Sequence, residues 1–427
     1  MDTIYALASA PGKSGVAVIR VSGPSAPDAA KALAGSVPEA RKAALRILRD
    51  TDGAMLDQAL VLVFEEGASF TGERVVEFHT HGSIAIQRAV LRALSQLPGF
   101  RLAEPGEFTR RALENQKLDL TQVEALSDLI EAQTESQRVQ AMQVLVGRLG
   151  ERVEEWRRRL ITAASLLEAT IDFADEDLPI DVTEDVRDHL ESVLKDLRAE
   201  LKGSVAAERI RLGFEVAIVG APNIGKSSLL NELAGRDAAI TSEIAGTTRD
   251  VIEVHMEIAG LPVTLLDTAG LRETDDPVEK IGIQRARQRA ESADLRVFLV
   301  GPDEAPMMES KPGDLVRISK ADLTGASTGI SVKTGQGIGA LVEEIGDVLS
   351  SRSRDAGMIT RERHRIAFRE GTEALETAIS RLDLGPAGYD ITAEEVRFSI
   401  RRLEALIGRV DVESLLDEIF STFCLGK

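Results

Sequence analysis

The chain has 427 residues, of which 43% are hydrophobic and 28% charged, with a formal net charge of −19. This length predicts two to three domains of ordinary globular composition. The negative charge argues against nucleic-acid binding by the whole surface, so RNA contact needs a local basic patch. The single cysteine excludes an internal disulfide, and no basic–apolar leader or apolar run of about 18 residues occurs, so we expect a cytoplasmic protein without a membrane segment.

The first region, residues 1–117, alternates short strand-like runs with a helix-like run and is interrupted by glycine and proline. The predicted strands are Ile4–Ala8, Val16–Val21, Ala59–Phe64 and Val75–Phe78, and the predicted helix is Ser83–Leu97. This alternation predicts a small α+β domain. His79 and His81 share a strand face, but the sequence offers no third ligand, so we interpret them as structural or adjacent to a bound ligand rather than as metal-binding.

Helical periodicity then dominates residues 118–210, with one break near Phe173–Pro179. Strands and helices alternate again over residues 211–352, and residues 353–427 are helical. Two helical regions that flank an α/β region predict that the α/β domain is inserted into one helical domain.

A phosphate-binding loop opens the α/β region. Residues 220–227 read Gly-Ala-Pro-Asn-Ile-Gly-Lys-Ser, the full pattern G-x-x-x-x-G-K-S/T, directly after the strand-like run Phe214–Val219. The two glycines let successive backbone N–H groups converge, Lys226 reaches the outer phosphates, and the Ser227 hydroxyl can join a Mg²⁺ shell. The loop predicts a site for a nucleoside di- or triphosphate with Mg²⁺.

Two later segments fit the γ-phosphate end of such a site. Residues 244–250 contain Thr247 and Thr248 and predict a switch segment, and a strand-like run ends in Asp267-Thr-Ala-Gly270. The Asp267 carboxylate can hold a Mg²⁺ water and the Gly270 N–H can meet the γ-phosphate. This order of motifs is typical of a GTPase. The predicted fold class is therefore multidomain α+β and α/β: a small α+β N-terminal domain, an α-helical bundle, and a Ras-like P-loop GTPase domain inserted in the bundle.

A base-recognition motif follows at Ser319-Lys320-Ala-Asp322, where GTPases carry Asn-Lys-x-Asp, and Ser331 begins Ser-Val-Lys, where Ser-Ala-Lys is usual. Asp322 can accept from guanine N1–H and the exocyclic amine, which adenine does not offer there, so we expect GTP rather than ATP. We expect serine to be too short to replace the asparagine brace. Together with the short, loop-like segment 301–314, this predicts weaker GTP affinity or wider base tolerance.

The sequence motifs do not themselves identify the residue that orients the attacking water or the group that compensates charge. Leu271 follows Gly270, where Ras-like enzymes carry a water-positioning glutamine, so another group must orient the water. Glu279, twelve residues past Asp267, is our candidate; alternatively it is an exposed acid in the first turn of a helix. No arginine is placed by a motif for charge compensation, and Asn223 could instead ligate a monovalent cation through its amide oxygen.

These motifs extend over nearly the whole chain, and the chain resembles the MnmE (TrmE) family, GTPases that modify the wobble uridine of transfer RNA. The segments that carry the resemblance, besides the GTPase motifs, are Pro11–Val16, Ser69–Glu73, Pro105–Thr109, Lys117–Leu120, Asp172-Phe173 and the terminal Phe423-Cys-Leu-Gly-Lys427.

The resemblance implies an N-terminal domain that dimerises and binds 5,10-methylenetetrahydrofolate or 5-formyltetrahydrofolate. The positions that match its folate contacts are Arg20, Glu77, Lys117 and Lys427. A carboxylate suits the donors of a pterin ring, and cations suit its acceptors or glutamyl tail. Taken singly, each of these residues is more often a surface charge. If His79 and His81 adjoin a ligand, it is this folate. Cys424 lies near that folate or takes part in chemistry, or is a small buried hydrophobic residue.

The resemblance also implies GTPase domains that pair face to face around K⁺. The implied K⁺ ligands are Asn223, Ser242, Ile244 and Thr247, the Mg²⁺ ligands are Ser227 and Thr248, and the catalytic group is Lys226, Thr248, Asp267 and Glu279. The predicted GTP contacts are Asn223, Ile224, Gly225, Lys226, Ser227, Ser228, Ser242, Thr247, Thr248, Asp267, Gly270, Lys320, Asp322 and Ser331.

By the same resemblance, the chain is expected to be a homodimer that forms a heterotetramer with MnmG and acts on transfer RNA. Together they add a carboxymethylaminomethyl or aminomethyl group at uridine C5. The chain has no Gly-x-Gly-x-x-Gly fingerprint after a strand, so FAD and NADH are expected on the partner only. Four arginines, at positions 361, 363, 365 and 369, are candidates for the RNA patch and equally for a solvated helix face.

Two other functions remain open. One is a ribosome-assembly GTPase that acts as a binding module without modification chemistry; folate binding would argue against it. The other is a folate-dependent transferase in which the nucleotide domain only dimerises the protein. In that case Asp267→Asn or Lys226→Ala would leave wobble modification intact.

Overall fold

The computed structural model describes residues 2–172, 182–235, 253–267, 287–327 and 329–409, together with Leu416, Ile419, Phe420, Phe423 and Gly426. The chain divides into two compact units, residues 1–127 with 404–427 and residues 128–403. The four domain ranges expected from the sequence divide the chain more finely and stay predictions.

The first unit is built on a six-stranded sheet with the strand order β3-β4-β5-β2-β1-β6. Its strands are β1 (Thr3–Leu7), β2 (Ser14–Ser22), β3 (Ala44–Arg49), β4 (Met55–Phe64), β5 (Val75–Gly82) and β6 (Phe100–Leu102). Neighbouring strands are antiparallel except for the parallel pair β1 and β6.

One face of this sheet packs against two helices, α1 (Ala26–Ala34) and α2 (Ile84–Ser95). Alternate residues of β4 point into that core, where Ala59 and Val61 are buried, whereas Leu60 between them is 43% exposed. A period of two is what a sheet covered on one face requires. The opposite face is left largely open over β3 and β4.

Helix α3 (Glu107–Glu114) also lies in the first unit, and α4 (Leu120–Glu131) begins there. Phe420 and Phe423, from the end of the chain, pack with Val123 of α4. Gly106 precedes α3 with φ of 71°, and a Cβ there would lie 2.9 Å from the Phe420 ring. The positive φ and the close approach together favour glycine at this position.

An ion network ties α3 to the sheet. Arg111 donates to both carboxylate oxygens of Glu73 at 3.1 Å and to Glu107 at 3.0 Å. Glu107 also accepts from Arg101 at 2.8 Å and from the backbone N–H of Glu104 at 2.9 Å. The Arg111, Glu73 and Glu107 side chains are all buried. Removal of one partner would therefore leave buried charge without compensation.

The second unit contains a five-stranded sheet with the order β11-β10-β7-β9-β8, parallel except for β8. Its strands are β7 (Phe214–Gly220), β8 (Glu253–Ile258), β9 (Leu261–Asp267), β10 (Leu295–Val300) and β11 (Leu315–Ile318). It contains the helices α8 (Lys226–Ala234), α9 (Ala321–Thr324) and α10 (Ile338–Ser353), and the described residues 287–292 are also helical. Residues 301–314, all described, form turns and bends without helix or strand.

The rest of the second unit is helical. The helices are α5 (Glu135–Leu145), α6 (Arg148–Asp172), α7 (Thr183–Leu212), α11 (Glu362–Leu382) and α12 (Tyr389–Leu406), with a 3₁₀ turn at Gly385–Gly388. Trp156 of α6 packs edge-on against Phe368 of α11, with ring centroids 5.6 Å apart. The indole Nε1 donates to Asp196 of α7 at 2.9 Å, so the buried ring keeps a polar partner.

Helix α7 leads directly into the central strand β7, with only Gly213 between them. The joint is held by polar contacts on both sides. Arg209 forms an ion pair with Asp294 at 2.8 Å, and the Asp294 carboxylate accepts from the Glu215 N–H of β7 at 2.8 Å. Arg211 donates to the Thr360 carbonyl at 3.1 Å. At the junction of α7 and β7, the sheet and the helices of this unit are thus connected by an ion pair and by hydrogen bonds.

The predicted fold class is confirmed: an α+β N-terminal unit, a set of long helices, and an α/β region that the helices flank in sequence. Four short elements of the first unit, α1, β3, β6 and α3, are absent from the sequence prediction. Within the part of the chain that the structure describes, no helix combines the length and apolar character needed to cross a bilayer.

The ion network predicts acid sensitivity of the first unit. Burial would raise the pKa of Glu107, but hydrogen bonds from Arg101, from the Glu104 N–H and from Arg111 outweigh burial and lower that pKa. A lowered pKa in the folded state contributes stability above the unfolded pKa, and this contribution is lost as pH falls through the folded value. We expect the unfolding free energy of this unit to fall from about pH 5 to about pH 3.

Glu107→Gln should flatten that fall and lower the unfolding free energy at pH 7 by about 2 kcal/mol, because charged hydrogen bonds to two arginines are lost. Hydrogen exchange of the β1 and β2 amides in urea measures the unfolding free energy of this unit. Trp156, the chain's one tryptophan, lies in the second unit, so its fluorescence transition is the internal control. The same pH slope in the variant and the wild type would contradict the assignment.

Candidate nucleotide-binding site

The phosphate loop lies at the carboxyl end of β7, the middle strand of the parallel sheet. Asn223 and Gly225 have φ of 60° and 112°, which turn the loop back on itself before α8 begins. A Cβ at Gly220 would lie 2.5 Å from the Leu299 carbonyl oxygen of β10, so only glycine fits there. The first turn of α8 therefore points its N–H groups toward the loop, where an anion is stabilised.

Lys226 is the first residue of α8 and is 6% exposed. Its ammonium donates to the carbonyl oxygens of Gly220 at 2.8 Å and Ala221 at 3.0 Å. A buried cation must be paired or hydrogen-bonded, and here the loop itself supplies the acceptors. The charge is held inside the loop where outer phosphates are expected.

Ser227 and Asp267 form the metal-facing side of the site. The Ser227 hydroxyl donates to Asp267 Oδ2 at 2.6 Å. Asp267 ends β9 and is 4% exposed, and its Oδ1 has no hydrogen-bond partner among the described residues. A buried carboxylate oxygen without a partner, beside a hydroxyl, is a donor set that suits a hard cation such as Mg²⁺. These two residues therefore fit the predicted metal.

The base-recognition motif follows β11 on the same edge of the sheet. Lys320 has φ of 57°, and the Ala321 N–H donates to the Ile330 carbonyl at 2.9 Å, which brings the two predicted base loops together. The Ser331 hydroxyl donates to Asp322 Oδ1 at 2.7 Å. Asp322 is exposed, so its carboxylate is oriented by Ser331 and still accessible to a ligand.

The expectation that Ser319 is too short to brace the site is wrong. Its hydroxyl donates to the Ile224 carbonyl of the phosphate loop at 2.5 Å. The brace is possible because the backbones of the two loops approach closely: a Cβ at Gly225 would lie 3.4 Å from the Ser319 hydroxyl. The serine therefore reaches the phosphate loop because the two loops lie close together, which the sequence does not reveal.

Several predicted site residues lie outside the described residues, and their roles stay predictions. These are Ser242, Ile244, Thr247, Thr248, Gly270, Glu279, Cys424 and Lys427. The described members of the predicted GTP set are brought to one sheet edge: Asn223, Ile224, Gly225, Lys226, Ser227, Ser228, Asp267, Lys320, Asp322 and Ser331. Ser228 is the third residue of α8 and is exposed.

A second cluster lies on the open face of the first unit's sheet. Arg20 of β2 and Glu77 of β5 are cross-strand partners, and Arg20 Nε donates to Glu77 Oε1 at 2.9 Å. His79 contacts the other Glu77 oxygen at 3.1 Å. Both members of the pair are partly buried, with side-chain exposures of 21% and 15%. Two of the predicted folate residues are therefore in direct contact.

Aromatic rings that the sequence argument did not single out complete this cluster. The Arg20 guanidinium lies 5.5 Å from the Phe70 ring centroid and 5.7 Å from that of Phe108. Lys117 donates to the Gly67 carbonyl at 2.7 Å, in the loop that carries Phe70. Phe70 and Phe108 belong to the segments Ser69–Glu73 and Pro105–Thr109, so both rings could have been predicted from the segments that carry the family resemblance.

His79 and His81 are held by carboxylates. His81 Nδ1 lies 2.8 Å from Asp57 Oδ1, and its backbone N–H donates to Asp57 Oδ2 at 2.8 Å. Burial would raise the pKa of Asp57, but these bonds and the Gln58 N–H outweigh burial and lower it. Each histidine thus has a partner within the sheet, Glu77 for His79 and Asp57 for His81.

Among the four arginines considered for RNA binding, Arg361 and Arg365 form ion pairs with acidic side chains. Arg361 donates to Asp128 at 2.6 Å, and Arg365 to Glu208 at 3.1 Å and to Glu362. Arg369 is exposed. The charge of Arg361 and Arg365 is therefore compensated within the second unit, which weakens their case as a free basic patch.

A phosphate loop at the carboxyl end of a central parallel strand, Asp267 facing Ser227, and an oriented Asp322 next to that loop define the class: a P-loop GTPase. Two family models match the chain. One is described as "MnmE helical domain" and matches residues 120–424; the other is described as "GTP-binding protein TrmE N-terminus" and matches residues 3–117. The chain belongs to the MnmE (TrmE) family.

Curated relatives agree over their full length. Proteins named tRNA modification GTPase MnmE from Roseobacter denitrificans, Cereibacter sphaeroides and Ruegeria pomeroyi are 61%, 59% and 59% identical to the chain, with 100% of each chain covered. Among solved structures, Aquifex aeolicus Era bound to GDP.AlF4- is 28% identical, with 31% of this chain and 56% of that chain covered and a TM-score of 0.25.

Lys226→Ala should weaken GTP binding by about 100-fold, because a charge-assisted contact to phosphate is lost and two loop carbonyls lose their donor. Calorimetric titration of the full chain measures the affinity. Lys311→Ala is the matched control, since Lys311 also donates to a backbone carbonyl, that of Glu291 at 2.8 Å, but lies exposed away from the loop. Equal affinities in the two variants would rule out the assigned role of Lys226.

Proposed function

We propose that the chain hydrolyses GTP and uses this cycle in the modification of transfer RNA at the wobble uridine. The observation that carries the proposal is the nucleotide site itself, in which Lys226, Ser227, Asp267 and Asp322 lie at one sheet edge. Full-length relatives named for tRNA modification supply the process in which this activity serves. With MnmG, the chain would add a carboxymethylaminomethyl or aminomethyl group at C5 of the uridine.

For hydrolysis, each described residue has a distinct task. The ammonium of Lys226 binds the outer phosphates, and the N–H groups at the start of α8 bind their oxygens. Ser227 and Asp267 would hold Mg²⁺, together with Thr248. When bound, Mg²⁺ neutralises charge that develops on the phosphate oxygens. Glu279 is proposed to orient the attacking water.

We also propose a K⁺ ion in place of an arginine finger, with Asn223, Ser242, Ile244 and Thr247 as ligands. Asn223 supports this in one respect: it is exposed at the outer turn of the phosphate loop, with a left-handed backbone. An amide oxygen placed there is a suitable ligand for a cation that paired GTPase domains enclose. Opening and closing of that pair would be a population shift governed by the nucleotide.

The first unit is proposed to bind 5,10-methylenetetrahydrofolate or 5-formyltetrahydrofolate at Arg20, Glu77, Lys117 and Lys427. The contact between Arg20 and Glu77 supports a shared ligand, since the carboxylate can accept from pterin donors while the guanidinium donates to its acceptors. Phe70 and Phe108 beside Arg20 offer apolar surface against which a planar ring can pack. FAD and NADH would bind to MnmG.

The homodimer is proposed to form through the open sheet face of the first unit. Leu45 and Leu60 are cross-strand partners that are 56% and 43% exposed, and Ile47 extends the patch along the edge strand. Exposed apolar side chains that adjoin one another on a sheet mark an interaction surface. Sedimentation of the pure chain measures its oligomeric state.

We also propose a cytoplasmic location, because one cysteine suits a reducing compartment.

The hydrolysis proposal is tested by GTP turnover of the full chain in K⁺ and in Na⁺ at equal ionic strength. We expect turnover about 10-fold or more faster in K⁺, because a fixed charge at the transferring phosphate lowers the barrier. The Lys226→Ala protein gives the baseline. Equal rates in both salts would remove K⁺ and the proposed role of Asn223, whereas rates equal to the baseline would remove the hydrolase.

The folate proposal is tested by titration of the chain with 5-formyltetrahydrofolate. Arg20→Ala should weaken binding by about 10-fold or more, because a charge-assisted bond is lost and Glu77 keeps only its contact with His79. Arg74→Ala is the matched control: it breaks an exposed pair with Glu65 at 3.7 Å in the same unit. An equal effect of both variants would contradict a folate site at Arg20.

A further inference from the structure

The hydroxyl of Ser319 lies in the nucleotide site and has no role in the proposed hydrolysis of GTP. Ser319 directly follows β11 and is 7% exposed. Its oxygen lies 2.5 Å from the Ile224 carbonyl oxygen. A carbonyl can only accept, and a serine hydroxyl has one proton, so Ser319 is the donor and its proton is already used.

The position of Ser319 is fixed from several sides. Its backbone N–H donates to the Val300 carbonyl, where β10 ends, at 2.9 Å. Its side chain meets Ile224 and lies next to Gly225, the residue before α8. Residue 319 therefore links the end of β10 to the phosphate loop and restrains the turn that presents Lys226.

This bond has a consequence for base recognition. Guanine presents the acceptors N7 and O6 on one edge and the donors N1–H and the 2-amino group on another. A hydroxyl that gives its proton to Ile224 has no donor left for N7 or O6. Asp322, three residues on, carries an oriented carboxylate that can accept from the donor edge.

We propose that Ser319 is a positioning residue that braces the phosphate loop and leaves the N7 of guanine unread. Base selection then depends on the edge that carries N1–H and the 2-amino group, through Asp322. This inference rests on the proposed GTP site and names which part of the base that site recognises.

The decisive measurement compares the affinities of the wild-type full chain for GTP, 7-deaza-GTP and ITP. We expect GTP and 7-deaza-GTP to bind within about twofold of each other, because no donor at residue 319 is lost with N7. ITP, which lacks the 2-amino group, should bind about 10-fold more weakly. A 10-fold or greater preference for GTP over 7-deaza-GTP would overturn the proposal.

The brace is tested separately by substitution. Ser319→Ala should weaken GTP and 7-deaza-GTP equally, by about fivefold, whereas Ser319→Thr, which keeps the hydroxyl, should bind both like the wild type. Ser353→Ala is the matched control, since Ser353 also donates its hydroxyl to a carbonyl, that of Ser350 at 3.0 Å, but on the distant helix α10. Unchanged GTP affinity in Ser319→Ala would overturn the brace.

Failure of this inference and failure of the GTP site give different results. If the wild type does not bind GTP, the proposed function is wrong and the assignment of Ser319 is wrong with it. If the wild type binds GTP but discriminates strongly against 7-deaza-GTP, the GTPase stands and only the assignment of Ser319 is wrong.

Discussion

The buried ammonium of Lys226 is the constraint on which the nucleotide site depends. A positive charge at 6% exposure is tolerated only if acceptors surround it, and the carbonyls of Gly220 and Ala221 do so. To supply those carbonyls the loop must turn tightly, which is why Gly220 approaches Leu299 and Gly225 adopts a positive φ. The same turn directs the first N–H groups of α8 toward the place where an anion is expected.

In both candidate sites, a charged side chain is bonded to a neighbouring residue through some of its polar atoms. Its other polar atoms remain available to a ligand. In the second unit, Asp267 is bonded through one oxygen and free through the other among the described residues. In the first unit, Arg20 is paired with Glu77 through Nε and flanked by two rings. Such groups are positioned before a ligand arrives, which reduces the ordering cost of binding.

The sequence predicted features that are encoded locally and missed those that depend on distant contacts. The phosphate loop is contiguous, and its glycines and lysine define it without tertiary information. The Ser319 bond joins loops that are 95 residues apart, and its feasibility depends on how closely two backbones approach. The Arg111 network was missed for the same reason, since Glu73 lies 38 positions away from Arg111. Strand β3 was missed because its exposed side carries leucine and isoleucine, which blur the alternation.

The direct passage from α7 through Gly213 into β7 has a mechanical consequence. A helix of 30 residues is a rod about 45 Å long, and here one end of it is fixed to the strand that carries the phosphate loop. A rotation of about 5° at that end would displace the far end by about 4 Å. A small rigid rotation of α7 about this joint would therefore be amplified along the helix to the scale of a side chain at its far end.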